Sequence, residues 1–223
     1  DYASAIEKYE AVVKSGNADV GTWIALGNAY NAARAYDKAI KCYDKARVLS
    51  YDVKDEVTIL ANLATAFGKM ADFQKEAECY TNLLKKSQSD PSIWGKTARA
   101  YERIGRIQEA TMYYTRAVKL NPNDPDLLYN YSYFCEKLGQ TDNAIAALEK
   151  ALSLKSSSLI LLERLSLIHD RIFRYEGVAK YRLRMLQVDP NNIERWKDLA
   201  LAYKAADRIK DAIKILHKGI LKY

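Results

Sequence analysis

The chain has 223 residues, 49% of them hydrophobic and 28% charged, with 9 Gly and 4 Pro. Its mean hydropathy is negative, but it holds too much apolar material for a disordered chain and too little Gly and Pro for a collagen-like or linker-rich one. No apolar run approaches the roughly 18 residues of a membrane span, and the net charge of +7, from 35 Lys+Arg against 28 Asp+Glu, suits an acidic partner, nucleic acid or simple solubility.

Along the chain, Tyr2, Ala5, Tyr9 and Val12 come first, at helical spacing, and read as one amphipathic helix. The opening residues lack a signal-peptide layout and a Met, so a mature product or an excerpt of a longer array is expected. From Trp23 onward the sequence repeats. Trp23, Trp94 and Trp196 are separated by 71 and 102 residues, and Tyr30, Tyr101, Tyr203 and Ala39, Ala110, Ala212 share those gaps. The second gap is three times 34 and the first is 34 plus 37, giving a period of 34 with one three-residue insertion.

Each period reads as two amphipathic helices. In the third, Trp94, Thr97, Ala98 and Tyr101 share one helical face, after Asp90 as cap and Pro91 in the first turn. Gly105 ends that helix, and Ile107, Ala110, Tyr114 and Ala117 form the face of a second one, closing at Asn121-Pro122. The small alanines predict close helix approach, with the Tyr114 ring filling the gap between neighbouring pairs. Glu76 and Val178 stand where the other periods carry that first alanine, so the expectation of close approach does not extend to them.

These residues carry a resemblance. Trp23, Leu26, Gly27, Tyr30, Ala39, Tyr43 and Ala46 are similar, position by position, to the tetratricopeptide repeat pattern. Trp94, Tyr101, Ala110, Tyr114, Ala117 and Pro122 match it again, as do Gly139, Ala144 and Ala151, and Trp196, Leu199, Ala200, Tyr203 and Ala212. Leu60, Leu63, Ala64, Phe67 and Tyr80, and Leu162, Leu165 and Pro190, match it more sparsely. The resemblance covers essentially the whole chain and implies an all-α fold, a right-handed α-solenoid of tandem antiparallel helix pairs. The frames are 1–19 for the second helix of a truncated repeat, then 20–53, 57–90, 91–124, 125–158, 159–192 and 193–223, all in one solenoid. Lys54 to Glu56 form the insertion and are expected to lengthen a turn.

Chemistry is sparse. Cys42, Cys79 and Cys135 form no CxxC pair, so neither a disulfide framework nor a zinc knuckle is indicated, and a reducing, intracellular compartment (cytoplasm or nucleus) is expected. Neither histidine, His169 or His217, lies in a catalytic motif, and no phosphate-binding or nucleophile-elbow pattern is present. His169 occupies the eleventh position of its unit, where Tyr30, Phe67, Tyr101 and Tyr203 stand in others, and reads as a packing residue. No catalytic residue, metal site or cofactor is expected, and no enzyme.

The resemblance implies that the sixth, ninth and thirteenth positions of each first helix line a concave groove. The sixth reads Ala25, Asn62, Lys96, Asn130, Arg164 and Asp198. The ninth reads Asn28, Thr65, Arg99, Tyr133, Leu167 and Leu201, and the thirteenth Ala32, Lys69, Arg103, Lys137, Arg171 and Ala205. Four consecutive cations at the thirteenth position make a basic stripe, and the asparagines beside it suit a peptide backbone. Cations near helix C-termini also complement the helix dipole, by about 0.3–1 kcal/mol. Asn28, Asn62 and Lys96 match three positions of the carboxylate clamp found in some relatives, but Ile24 and Ser92 replace its two other lysines, so chaperone binding is not expected.

The expected partner is therefore another protein, presenting an acidic or extended segment, with no membrane and with nucleic acid disfavoured. The alternatives are an architectural arm of a large complex, contacted on its convex face at residues such as Lys75 and Lys210; helical-repeat RNA binding; and a targeting module of a larger enzyme.

Overall fold

The computed structural model describes residues 2–222, and every regular element among them is an α-helix. The chain forms two compact units, Asp1–Leu120 and Asn121–Tyr223. The first unit holds α1 (Tyr2–Lys14), α2 (Val20–Ala32), α3 (Tyr36–Leu49), α4 (Val53–Lys69), α5 (Phe73–Lys86), α6 (Pro91–Ile104) and α7 (Ile107–Leu120). The second holds α8 (Pro125–Lys137), α9 (Thr141–Leu154), α10 (Leu159–Arg171), α11 (Tyr175–Val188), α12 (Ile193–Ala205) and α13 (Ile209–Lys222).

Local chemistry sets where the first helix of each pair begins. Asp19 accepts from the Thr22 amide at 2.7 Å, Asp90 from Ser92 at 2.8 Å and Asp124 from Asp126 at 2.9 Å, with Pro91 and Pro125 in the following first turns. Asp52, Ser158 and Asn192 cap α4, α10 and α12 in the same way. These caps satisfy amides that have no partner inside the helix.

Each pair then turns back through one left-handed residue. Arg34, Ala71, Gly105, Gly139, Phe173 and Asp207 all have φ between 57° and 85°. In each turn the next amide donates to the residue five positions earlier, as in Ala35 to Tyr30 at 2.8 Å and Arg208 to Tyr203 at 2.8 Å. This is the helix-stop geometry that glycine favours. Only two of the six positions carry it, so the hydrogen-bonded turn, and not residue preference, selects the conformation in the other four.

In the first unit α2 packs on α3, α4 on α5 and α6 on α7, while α1, α3 and α5 each meet the helix that follows. Ala39 and Ala46 are fully buried, and the Tyr43 ring fills the space left by Gly27, where an added methyl would lie 2.5 Å from the ring. In the second unit Val178 is buried with Ala179, Leu186, Leu199 and Tyr203, so the larger residue is accommodated without exposure.

Two expectations are corrected. The insertion does not lengthen a turn: residues 53–56 are helical and give α4 17 residues where α2 has 13. The packed stripe of α1 is Ile6, Tyr9 and Val13, leaving Tyr2 and Val12 exposed.

Candidate functional site

The expected partner face comprises the sides of the first helices turned away from their second helices. In the first unit it is carried by α2, α4 and α6. Asn28 is exposed but its Oδ1 is engaged, accepting from the Tyr43 hydroxyl at 2.8 Å and from Asn62 Nδ2 at 3.0 Å. These bonds join α2 to α3 and α4, so the two asparagines form a fixed ladder that still leaves the Asn28 amide group and the Asn62 carbonyl for a ligand.

The cations of this unit divide into two sets. Lys69, Lys96 and Arg99 are exposed and have no ion pair among the described residues. Arg103, by contrast, reaches Glu76 on α5, with Nη1 2.9 Å from Oε2 and 3.2 Å from Oε1. The Glu76 carboxylate is nearly buried, and Gly68 makes room for it: a methyl there would lie 2.7 Å from Oε1. Arg103 also lies 5.2 Å from the Phe73 ring. Its charge is thus largely spent on holding a buried carboxylate.

In the second unit the face is carried by α8, α10 and α12. Asn130 and Tyr133 are half-buried, and exposed Lys137 sits 5.3 Å from the Tyr133 ring with no carboxylate partner among the described residues. Arg164 and Arg171 converge on Glu136, at 2.7 and 3.1 Å, although neither contact is aligned as a hydrogen bond. Arg164 also lies 5.7 Å from the Tyr133 ring. A buried carboxylate again absorbs cations of the basic stripe.

One feature of this face escaped the sequence reading. Tyr43, Tyr80, Tyr114 and Leu148 share a repeat position and are buried, but the equivalent residue on α11 is Arg182. Its Nη1 donates to the Asp198 carbonyl at 2.8 Å, and about 400 Å³ of empty space, partly open to solvent, lies beside it against Leu167, Met185 and Arg195. In the sequence this column reads Tyr43, Tyr80, Tyr114, Leu148, Arg182 and Leu216, with Arg182 its one charged member.

Among the other titratable groups, His169, Cys42 and Cys79 are at least partly buried. His169 lies 5.3 Å from the Tyr181 ring and against Gly177, where a methyl would meet Nδ1 at 2.3 Å. Neither ring nitrogen has a hydrogen-bond partner, and burial, aided by nearby Arg174, holds its pKa below the usual value. Burial pushes the Cys42 and Cys79 thiols up to about 11, away from nucleophilic character at neutral pH. Among the described residues no group of His, Cys, Asp and Glu could hold a metal ion, and no helix is long and apolar enough to cross a membrane.

Comparison with known proteins agrees with this architecture. A tetratricopeptide repeat model matches residues 1–50 and 62–125, and the model of the cilia and flagella-associated protein 70 middle TPR-like domain matches residues 94–218. Searching the curated proteins by sequence gives no match. Among solved structures, the C-terminal part of a TPR repeat-containing protein from Cytophaga hutchinsonii superposes with a TM-score of 0.79 at 17% identity, over 99% of this chain and 90% of that one. YrrB, described as a TPR protein with an unusual peptide-binding site, gives 0.68 at 14% identity, over 86% of this chain and 97% of its own. MamA gives 0.63 at 20% identity, over 76% and 92%. At these identities the likeness is one of fold.

Proposed function

The chain belongs to the tetratricopeptide repeat family, and from that premise we propose that it is a non-catalytic protein-interaction scaffold whose first-helix face receives an acidic or extended segment of a partner. The observation that carries this reading is the set of exposed cations without carboxylate partners, Lys69, Lys96 and Arg99, beside the Asn28–Asn62 ladder in the first unit. The asparagine ladder offers donors and acceptors to a peptide backbone, while the cations supply charge-assisted bonds to acidic side chains. Lys137, Tyr133 and Asn130 offer the same chemistry within the second unit. Arg103, Arg164 and Arg171 act chiefly to hold Glu76 and Glu136 and so shape the face from beneath. Encounter with an acidic segment is steered by charge and weakens with salt. The test is affinity capture with wild type and with Lys96→Glu/Arg99→Glu: the reading requires loss of the captured partner and of its salt dependence in the variant, and equal capture contradicts it.

A second reading is favoured by the match of residues 94–218 to a domain of a cilia and flagella-associated protein. In it the chain is an architectural subunit of a ciliary or flagellar assembly, contacted on its second helices. Crosslinks from Lys75 on α5 and Lys210 on α13, with none from Lys96, would select this reading.

A further inference from the structure

The three tryptophans that share the repeat spacing are not equivalent. The Trp94 indole N–H donates to the Gln88 carbonyl at 2.8 Å, and that of Trp196 to the Pro190 carbonyl at 3.1 Å. Arg116 lies 5.8 Å from the Trp94 ring and Lys222 5.8 Å from the Trp196 ring, covering both. The Trp23 N–H has no protein acceptor among the described residues. Instead, Trp23 lines two adjoining surface hollows that are wide open to solvent, one bounded by α2 and α3 and the other by α1, α2 and α3.

The floor of these hollows is apolar, formed by Trp23, Leu26, Tyr30 and Cys42, with exposed Val48 at one edge. Their rim is basic: Lys14, Lys38, Lys41 and Lys45 are exposed, and none has a carboxylate partner among the described residues. The two acids present are already engaged, Glu10 by the Tyr30 hydroxyl and Asp44 by Arg47 at 3.5 Å. At 3.6 residues per turn, Trp23 projects roughly 140–200° away from the groove positions of α2, so this surface is separate from the asparagine ladder.

We infer that this hollow is a second docking site, for an acidic segment of another protein that inserts one bulky apolar side chain beside Trp23. An apolar floor ringed by uncompensated lysines repels a basic segment, and inorganic phosphate gains nothing from the floor. The acidic segment satisfies each element: carboxylates reach Lys41 and Lys45, the apolar side chain covers the floor, and a backbone carbonyl accepts from Trp23 Nε1. The inference does not depend on the first-helix face, and it stands or falls separately.

The probe is a fluorescein-labelled synthetic peptide with three glutamates on each side of a central phenylalanine, followed by anisotropy with the full chain. Two control peptides carry alanine for the phenylalanine or lysines for the glutamates. The phenylalanine peptide is expected to bind about tenfold more tightly than the alanine peptide, and the lysine peptide not to bind. Lys41→Glu/Lys45→Glu, at exposed positions that leave the fold intact, should weaken binding about tenfold or more. Trp23→Phe should weaken it less, and Lys96→Glu/Arg99→Glu should leave the preference for the phenylalanine over the alanine peptide unchanged. Absence of binding, equal binding of the phenylalanine and alanine peptides, or control by Lys96 and Arg99 instead of Lys41 and Lys45 overturns the inference.

Discussion

Arg103 on α6 holds the nearly buried carboxylate of Glu76 on α5 at 2.9 Å, across 27 residues of sequence. Glu76 occupies a position where Ala39, Ala110, Ala144 and Ala212 are buried in other pairs, and Gly68 yields the volume it needs. A carboxylate in such a place is tolerable only with its partner.

The two partners therefore differ in what their loss costs. Arg103→Ala strands a buried charge and should destabilise the chain by about 1–3 kcal/mol, less than a fully buried pair because Arg103 is partly solvated. Glu76→Ala restores the small residue of the other pairs and should cost less than about 1 kcal/mol. The double variant should resemble Glu76→Ala alone. Urea unfolding of the four proteins measures this, and equal losses in both single variants would show that no stranded charge exists.

The turn residues supply a second prediction. Ala71 adopts φ 62°, which an L side chain resists by roughly 1–2 kcal/mol, whereas Gly105 adopts φ 85° without that penalty. Ala71→Gly should raise stability by about 0.5–1 kcal/mol after the added entropy of the unfolded chain is subtracted, and Gly105→Ala should lower it by about 1 kcal/mol. Nothing lies within 4 Å of a methyl placed at Gly105, so the second effect isolates the backbone. Opposite signs in thermal melts are the expected result.

A third concerns pH. Burial and Arg174 hold the His169 pKa low, with Glu149 acting against them and Lys180 with them. The unfolded chain therefore takes up this proton first, and stability falls as pH drops below the ordinary histidine value of about 6.5. It levels off once the folded pKa is passed. His169→Phe, the residue type of Phe67 at the equivalent position, should remove this contribution, so the gap between variant and wild type should widen in the variant's favour from pH 7.5 to 5.5. A constant gap would contradict the assignment.

Most of the helical framework was legible because it is local and repeated. The cap at Asp90, the stop at Gly105 and the buried alanines each follow from residues within one turn of one another. What escaped the sequence depends on tertiary contact. Left-handed turns at Arg34, Phe173 and Asp207 are imposed by a hydrogen-bonded geometry their side chains oppose. In α1 the apolar residues allow two adjacent stripes, and packing against α2 and α3 chooses Ile6, Tyr9 and Val13. The extra residues of α4 continue a helix because Asp52 caps it early.

The candidate face was legible as a column of residue types but not as a charge distribution. Arg103, Arg164 and Arg171 lie in the same columns as Lys69, Lys96 and Lys137, yet Glu76 and Glu136 engage the arginines. Those carboxylates stand on other helices or at positions the column does not include, so only folded proximity reveals them. The free Trp23 N–H was hidden for the same reason, since its sequence position equals that of Trp94 and Trp196.

A partner segment on the first-helix face is tested most directly by site-specific photocrosslinking, with the crosslinker placed at Lys96 in the first unit, at Lys137 in the second, and at Lys75 and Lys210 on second helices. One acidic or extended partner segment should crosslink at Lys96 or Lys137, with yields falling as salt rises. Crosslinks confined to Lys75 and Lys210 would contradict it.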